Sequence, residues 1–356
     1  MQMTINHTAQ PVTLALAKRA IVAHYETDMP LMLSGPPGVG KSDVFRQACA
    51  EMKIGFIDFR ASLRDQVALL GVPRIDLKTN TTVWVPPNEL PNAKRDGKKG
   101  IFLCDEITSA PLPTQVALYG LILDRVLGEY RMESGWVPMA AGNLLSDKAA
   151  VTRLSSALKN RFGHFQIEAD LETWCDWAVC NGVDPLLIAF LRWRPYLLHI
   201  MPGARPAEAE AENIPGVPAD ANAFPSPRSW TRASAFVDQP EDLRVHLIRA
   251  QVGDAMAGEF EGFYRVWRTL PTIQAIIANP GGTPVPNDPA SLYALSAALA
   301  RAATRQNFDA ILTYASRFGT REFSVVLTLD AVKRDPTLQK TGAYAKWAIG
   351  NQDIAA

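Results

Sequence analysis

Cysteine is scarce in this chain, with Cys49, Cys104, Cys175 and Cys180 the four among 356 residues. That is too few for a disulfide framework at this length. An excess of charge is also missing, because 36 Lys and Arg balance 36 Asp and Glu. A basic coat for non-specific nucleic-acid binding is therefore excluded as a property of the whole chain, though a local basic loop is not. No apolar run reaches the roughly 18–20 residues that span a bilayer. The stretch LLIAFLRWRPYLLHIM comes nearest, and Arg192, Arg194 and Pro195 break it. The N-terminal segment lacks the basic start and continuous apolar stretch of a secretion signal. Together these absences predict a cytoplasmic protein. What is present is ordinary for a folded chain, 47% hydrophobic and 20% charged, at a length that suggests two or three domains.

The first third alternates short apolar runs with helical patterns. A helix is predicted near 11–25, carrying Leu14, Leu16, Ile21 and Val22, followed by strand runs PLMLSG, GFIDFR (Gly55 to Arg60), IFLCD (Ile101 to Asp105), WVPMAAGN (Trp136 to Asn143) and HFQIE (His164 to Glu168). Helix-length segments such as SDVFRQACAEM lie between them, the alternation of a parallel sheet covered on both faces. After Asp170 the periodicity is helical throughout. A Pro/Ala/Glu-rich stretch from Pro202 to Arg228 reads as a loop, and a breaker cluster from Asn279 to Pro289 sets off a tail of three or four short helices that pack together or on the preceding domain. In that tail Leu292, Leu295, Leu299 and Ala302 share one helical face, and Phe308, Ile311, Leu312 and Ala315 another.

The strongest local signal is Gly35-Pro36-Pro37-Gly38-Val39-Gly40-Lys41-Ser42, which fits G-x-x-x-x-G-K-[ST] with an apolar run before it and a helical segment after. Glycines let the backbone wrap close enough to a phosphate for several N–H groups to point inward at the positive end of the next helix. In that pattern Lys41 reaches the β- and γ-phosphates, and Ser42 places its hydroxyl on Mg²⁺. The strand IFLCD ends in Asp105 and Glu106, 64 residues after Lys41 (105 − 41). At the carboxyl edge of a parallel sheet, Asp105 would join the Mg²⁺ shell and Glu106 would polarise the attacking water. An acidic pair in isolation is more often a helix-start feature, but the upstream phosphate loop decides for nucleotide. Asn143 ends the strand WVPMAAGN; its amide either starts a turn or orients a water against the γ-phosphate. Arg153 and Arg161 share the segment VTRLSSALKNRF without obvious local acid partners; they are either ordinary solvated surface arginines or arginines that reach another subunit's phosphate. Arg228 in SPRSW is either an ordinary first-turn residue or a second phosphate contact.

In order along the chain, GPPGVGKS, FLCDE, AAGN, LKNRF and SPRSW resemble the Walker A, Walker B, sensor-1, arginine-finger and sensor-2 motifs of an AAA+ ATPase. DEITSAPLPTQVALYGLILDRVLGEYRM further resembles the MoxR group, where a helix and a small hairpin separate Walker B from sensor 1. The resemblance spans about residues 11–270. It implies a P-loop α/β core over 1–169, an all-α lid over 170–278 with a long loop at about 202–227, and an extra helical segment over 290–356. It also implies ATP and Mg²⁺ as cofactors, Asp105 and Glu106 acting in cis, Asn143 as sensor 1, Arg161 as a finger acting in trans, Arg153 as a second trans arginine and Arg228 as sensor 2. The same likeness implies a ring, commonly a hexamer, that remodels a partner protein, often one with a von Willebrand factor A domain. The long loop before Arg228 and the tail after Pro289 depart from a compact member of that group. The competing expectation is a nucleic-acid motor built on the same engine, disfavoured by zero net charge and no DNA-binding motif. A scaffold that binds ATP without turnover is disfavoured by the presence of Glu106 and Arg161.

The remaining features carry plainer expectations. Cys175 and Cys180 are five apart on a helix, so they do not share a face, and no histidine cluster accompanies them. Cys49 and Cys104 read as core positions. His7, His24, His164, His199 and His246 are scattered. The basic run from Lys94 to Lys99 reads as a solvated turn.

Overall fold

In a computed structural model the described residues are 10–144, 154 and 156–352. They divide into two compact units, one up to Asp170 and one from Leu171 on.

The first unit runs α1 (Leu14–Glu26), β1 (Leu31–Ser34), α2 (Lys41–Met52), β2 (Gly55–Arg60), α3 (Gln66–Leu70), β3 (Val72–Asp76), β4 (Thr81–Val85), α4 (Ala93–Asp96) and β5 (Gly100–Asp105). It continues with α5 (Leu112–Asp124), β6 (Val126–Leu127), β7 (Tyr130–Arg131), β8 (Trp136–Gly142), α6 (Ser156–Lys159) and β9 (Gly163–Gln166). Five strands form one parallel sheet in the order β2-β5-β8-β1-β9. Strands β5 and β8 are buried along their whole length, as strands covered on both faces must be. One face packs Leu31, Leu33, Ile101 and Leu103 against Ala17, Ile21, Val44 and Phe45 of α1 and α2. The other packs Phe102, Cys104 and Ala140 against Leu118, Leu121 and Ile122 of α5. The two strands on either side of β8 therefore deliver the phosphate loop and the acidic pair to the same sheet edge.

The segment from Lys94 to Lys99 opens with one helical turn, α4, where Arg95 donates to Asp96 at 2.8 Å and to the Leu90 carbonyl at 2.8 Å. A hairpin of β3 and β4, turning at Asn80 with φ +52°, has no counterpart among the sequence-based expectations. Val72, Ile75 and Val85 on it are 69%, 65% and 46% exposed, so no core-facing alternation marks it. The short β6–β7 hairpin turns at Gly128.

The second unit is all helical: α7 (Leu171–Cys180), α8 (Pro185–Trp193), α9 (Ala207–Ala211), α10 (Pro227–Ala233), α11 (Glu241–Val252), α12 (Asp254–Trp267), α13 (Ile273–Ala278), α14 (Pro289–Ala302), α15 (Phe308–Ala315), α16 (Arg321–Arg334) and α17 (Gly342–Ile349). The Pro202–Arg228 stretch is thus not wholly loop: α9 forms within it, burying Ala209, while Arg205 Nε donates to the Ile214 carbonyl at 2.9 Å. Phe190 meets Trp230, Phe260 and Phe263 in an aromatic core. The tail packs into this same unit, with α14 lying against α8 and α16. Buried Asp330 on α16 is bound through both oxygens by Arg192 on α8. No helix among the described residues is long and apolar enough to cross a membrane.

Trp136 shows how tightly the strands are set. Its indole is buried, donates to the Gly97 carbonyl at 2.9 Å and covers two glycines. A Cβ on Gly100 would lie 2.5 Å from the ring and 2.7 Å from the Gly55 carbonyl oxygen; one on Gly55 would lie 2.8 Å from the ring. Overpacking of this kind costs about 1–3 kcal/mol. Gly100→Ala should therefore lower the thermal midpoint of the first unit by several degrees. Trp136→Phe in the same chain should recover part of the Gly100→Ala loss, seen as a double-mutant cycle by calorimetry.

Candidate functional site

The loop from Gly35 to Gly40 leaves β1 and enters α2 with Gly38 and Gly40 at φ +82° and +98°. At Gly35 a Cβ would lie 2.4 Å from the Ile167 carbonyl oxygen, so a side chain does not fit. Gly40 precedes α2 without a side-chain cap, and a helix start of this kind favours an anion. Lys41 is buried and folds back over this loop. Its ammonium donates to the Gly35 carbonyl at 2.7 Å, the Pro36 carbonyl at 2.8 Å and Asn143 Oδ1 at 3.0 Å. Ser42 Oγ donates to Asp105 Oδ2 at 2.6 Å, and Asp105 Oδ1 accepts from the Glu106 N–H at 2.9 Å. Lys41, Ser42, Asp105 and Asn143 are thus joined through neighbouring side chains, and Glu106 through its backbone.

Two hydroxyls absent from the sequence-based expectations complete this arrangement. Thr108 Oγ1 accepts the Asn143 N–H at 3.1 Å, fixing the residue just past β8. Ser62, in the turn after β2, donates to Glu106 Oε2 at 2.5 Å. Glu106 adopts φ +55°, a left-handed conformation unusual for a residue with a side chain, which turns the chain sharply between β5 and the next 3₁₀ turn. Ser62 had no signal of its own: it is one serine in a non-periodic turn, brought to Glu106 by the pairing of β2 with β5.

The oxygen-rich corner suits magnesium. Ser42 and Asp105 offer a hydroxyl beside a carboxylate, and no cluster of three or more His, Cys, Asp or Glu exists among the described residues to enclose a metal. Mg²⁺ commonly takes one or two protein oxygens and fills its octahedron with water and phosphate.

Arg161 lies in the turn between α6 and β9. Its guanidinium donates to the Tyr119 hydroxyl at 3.2 Å and stands 5.8 Å from the ring centre. Arg228 is exposed on α10, behind a Ser226–Ser229 capping box, in the second unit. Arg153 lies outside the described residues.

Residues 30–162 match the family model of the AAA domain, dynein-related subfamily. This segment is an AAA domain of that subfamily. It takes in the phosphate loop, both acids, Asn143 and Arg161, and its parallel sheet between helices is the AAA+ core. Among solved structures, NtrX from Brucella abortus in complex with ADP is 14% identical, covering 96% of this chain and 68% of that one, with a TM-score of 0.33. A RuvB P216G mutant from Thermotoga maritima is 15% identical over 96% and 91% of the two chains, TM-score 0.36. For a putative ATPase from Cytophaga hutchinsonii the figures are 13%, 96%, 89% and 0.33. No curated protein matches the chain.

A third carboxylate crowds the AAA domain's acidic corner. Burial, and then the charge of Asp105, hold the Asp58 carboxyl on β2 above its ordinary value of 3.8. Its Oδ1 is buried without a hydrogen bond, and Arg46 approaches Oδ2 only to 3.6 Å. Because the folded state keeps this proton to higher pH than the unfolded chain, folding stability falls as pH rises from about 3.8 through the folded value. Asp58→Asn should remove that part of the pH dependence. Denaturant midpoints of both proteins across the acidic range check it: the difference should grow with rising pH and then level off.

Proposed function

We propose that this chain is a MoxR-like ATP hydrolase that assembles with copies of itself, commonly six, into a ring that remodels a partner protein. The observation that carries the reading is Lys41, bonded at once to its own loop and to Asn143, while its neighbour Ser42 is bonded to Asp105. A cation, a hydroxyl, a carboxylate and an amide converge beside an uncapped helix start, the set that phosphoryl transfer requires.

In this reading the N–H groups of Gly38, Val39, Gly40, Lys41 and Ser42 cradle the phosphates, Gly35 anchors the loop by donating its N–H to the Gly142 carbonyl at 3.3 Å, and Pro36 and Pro37 stiffen it. Lys41 exchanges its loop carbonyls for β- and γ-phosphate oxygens. Ser42 and Asp105 would hold Mg²⁺, which would supply positive charge against the phosphates. Asn143 orients the attacking water, and Glu106 accepts its proton as it attacks in line with the leaving oxygen. Arg161 of the adjacent copy supplies the missing positive charge at the γ-phosphate, with Arg153 as a second such arginine and Arg228 as sensor 2. Residues 1–169 are the nucleotide-binding core, 170–278 the lid and 290–356 an added helical segment.

Exposed apolar residues support assembly. Leu63 and Val67 are 71% and 67% exposed, and Leu112 and Val116 are 54% and 60%. Thr114 donates to the Arg64 carbonyl at 2.8 Å, so these two pairs belong to one region of the first unit, an apolar surface of the sort that a partner covers. The partner class that the MoxR likeness favours is a protein with a von Willebrand factor A domain, met in the cytoplasm. Zero net charge disfavours nucleic acid in that role.

Lys41→Ala should abolish ATP binding. Glu106→Gln should keep binding and lower turnover about 10²–10⁴-fold, the usual worth of a positioned base. Calorimetric ATP titration and phosphate release decide it: turnover at the parent rate in Glu106→Gln removes Glu106 from catalysis. Strong stimulation of hydrolysis by DNA near physiological salt would replace the protein-remodelling reading with the motor.

A further inference from the structure

Arg161 is held in an unusual way. It is half-buried, and its Nε is shut from water with no hydrogen-bond partner. Among the described residues no carboxylate pairs with it; the contact that orients it is the neutral Tyr119 hydroxyl at 3.2 Å. Withdrawing a cation from water without an acid is costly, and its field stays available to any anion brought near. An Asp or Glu at the same place would hold the guanidinium more strongly and cancel that field. Tyr119 itself is well anchored, because its helix α5 buries Leu118, Leu121 and Ile122 in the core. That helix also starts just beyond the turn that carries Glu106, so one rigid element serves both the acids of a site and the arginine offered to another.

We propose that Tyr119 is the positioning residue for Arg161: its hydroxyl fixes the guanidinium's direction while leaving its charge uncancelled for the γ-phosphate of a second copy's ATP. The proposal rests on the reading of Arg161 as a trans finger. A hydroxyl is suited to the task because it accepts from one guanidinium N–H and leaves the other terminal N–H donors of the fork for phosphate oxygens.

The test uses mixed assemblies of the full chain, co-expressed under two tags and purified through both. Subunits with Glu106→Gln donate an intact Arg161, and subunits with Arg161→Ala supply an intact Glu106; each is nearly inactive alone, and together they should regain ATPase activity. Tyr119→Phe is then placed on one partner at a time. On the Glu106→Gln donor it should lower the regained kcat about tenfold, the worth of one hydrogen bond to a charged group, with the KM for ATP unchanged. On the Arg161→Ala acceptor it should change little. Equal loss on both partners, or loss on the acceptor alone, overturns the proposal and makes Tyr119 a structural residue of α5. An unchanged rate on the donor overturns it as well. If the mixture with intact Tyr119 regains nothing, the trans reading of Arg161 fails first and Tyr119's role falls with it.

Discussion

The ammonium of Lys41 is the point on which the AAA domain's site depends. It satisfies two carbonyls of its own loop and the amide of Asn143, so one charge ties the loop after β1 to the end of β8. The same corner holds Asp105 and Glu106, with Asp58 close enough to feel Asp105. Ser42 answers Asp105 and Ser62 answers Glu106, whereas Asp58 has only Arg46 at 3.6 Å and keeps a buried oxygen without a donor. In the proposed reaction the nucleotide exchanges these internal partners for phosphate oxygens, so the groups that bind it are also those that hold the site together beforehand.

Much of the site is legible in the amino-acid sequence. Gly35 to Ser42 announces itself through local spacing, and Asp105, Glu106 and Asn143 through their place at the ends of apolar runs. What stays hidden there is what depends on tertiary pairing. Ser62 and Glu106 are 44 residues apart and meet because β2 pairs with β5. Tyr119 and Arg161 are 42 apart and meet across a helix and a turn. Neither pair leaves a periodic trace.

The fold shows the same division. Buried strands such as β5 are visible as continuous apolar runs, whereas the β3–β4 hairpin, exposed on its apolar positions, has no face to betray it. The Pro/Ala/Glu stretch reads as loop because α9 is one short turn and more among breakers. Whether the tail packs on itself or on the preceding helices is not legible, because the residues that bind it, Arg192 and Asp330, are 138 positions apart and individually look like surface charges. Their burial is a tertiary fact.

Trp136 gives the sheet an origin from which heights are counted. Gly100 and Gly55 pair with each other in register, and Gly100 with Trp136, so three strands begin at one level beneath the indole. From that level Asp105 stands five residues up β5 and Asn143 lies seven beyond Trp136, at about 3.3 Å per residue. The carboxylate and the amide stay in step only while those two counts hold. A single residue gained or lost within either strand would turn its terminal side chain to the opposite face of the sheet. Length is therefore free to vary in the hairpins and the Pro-rich stretch, and closed to variation on the short spans between the indole and the phosphate loop's partners.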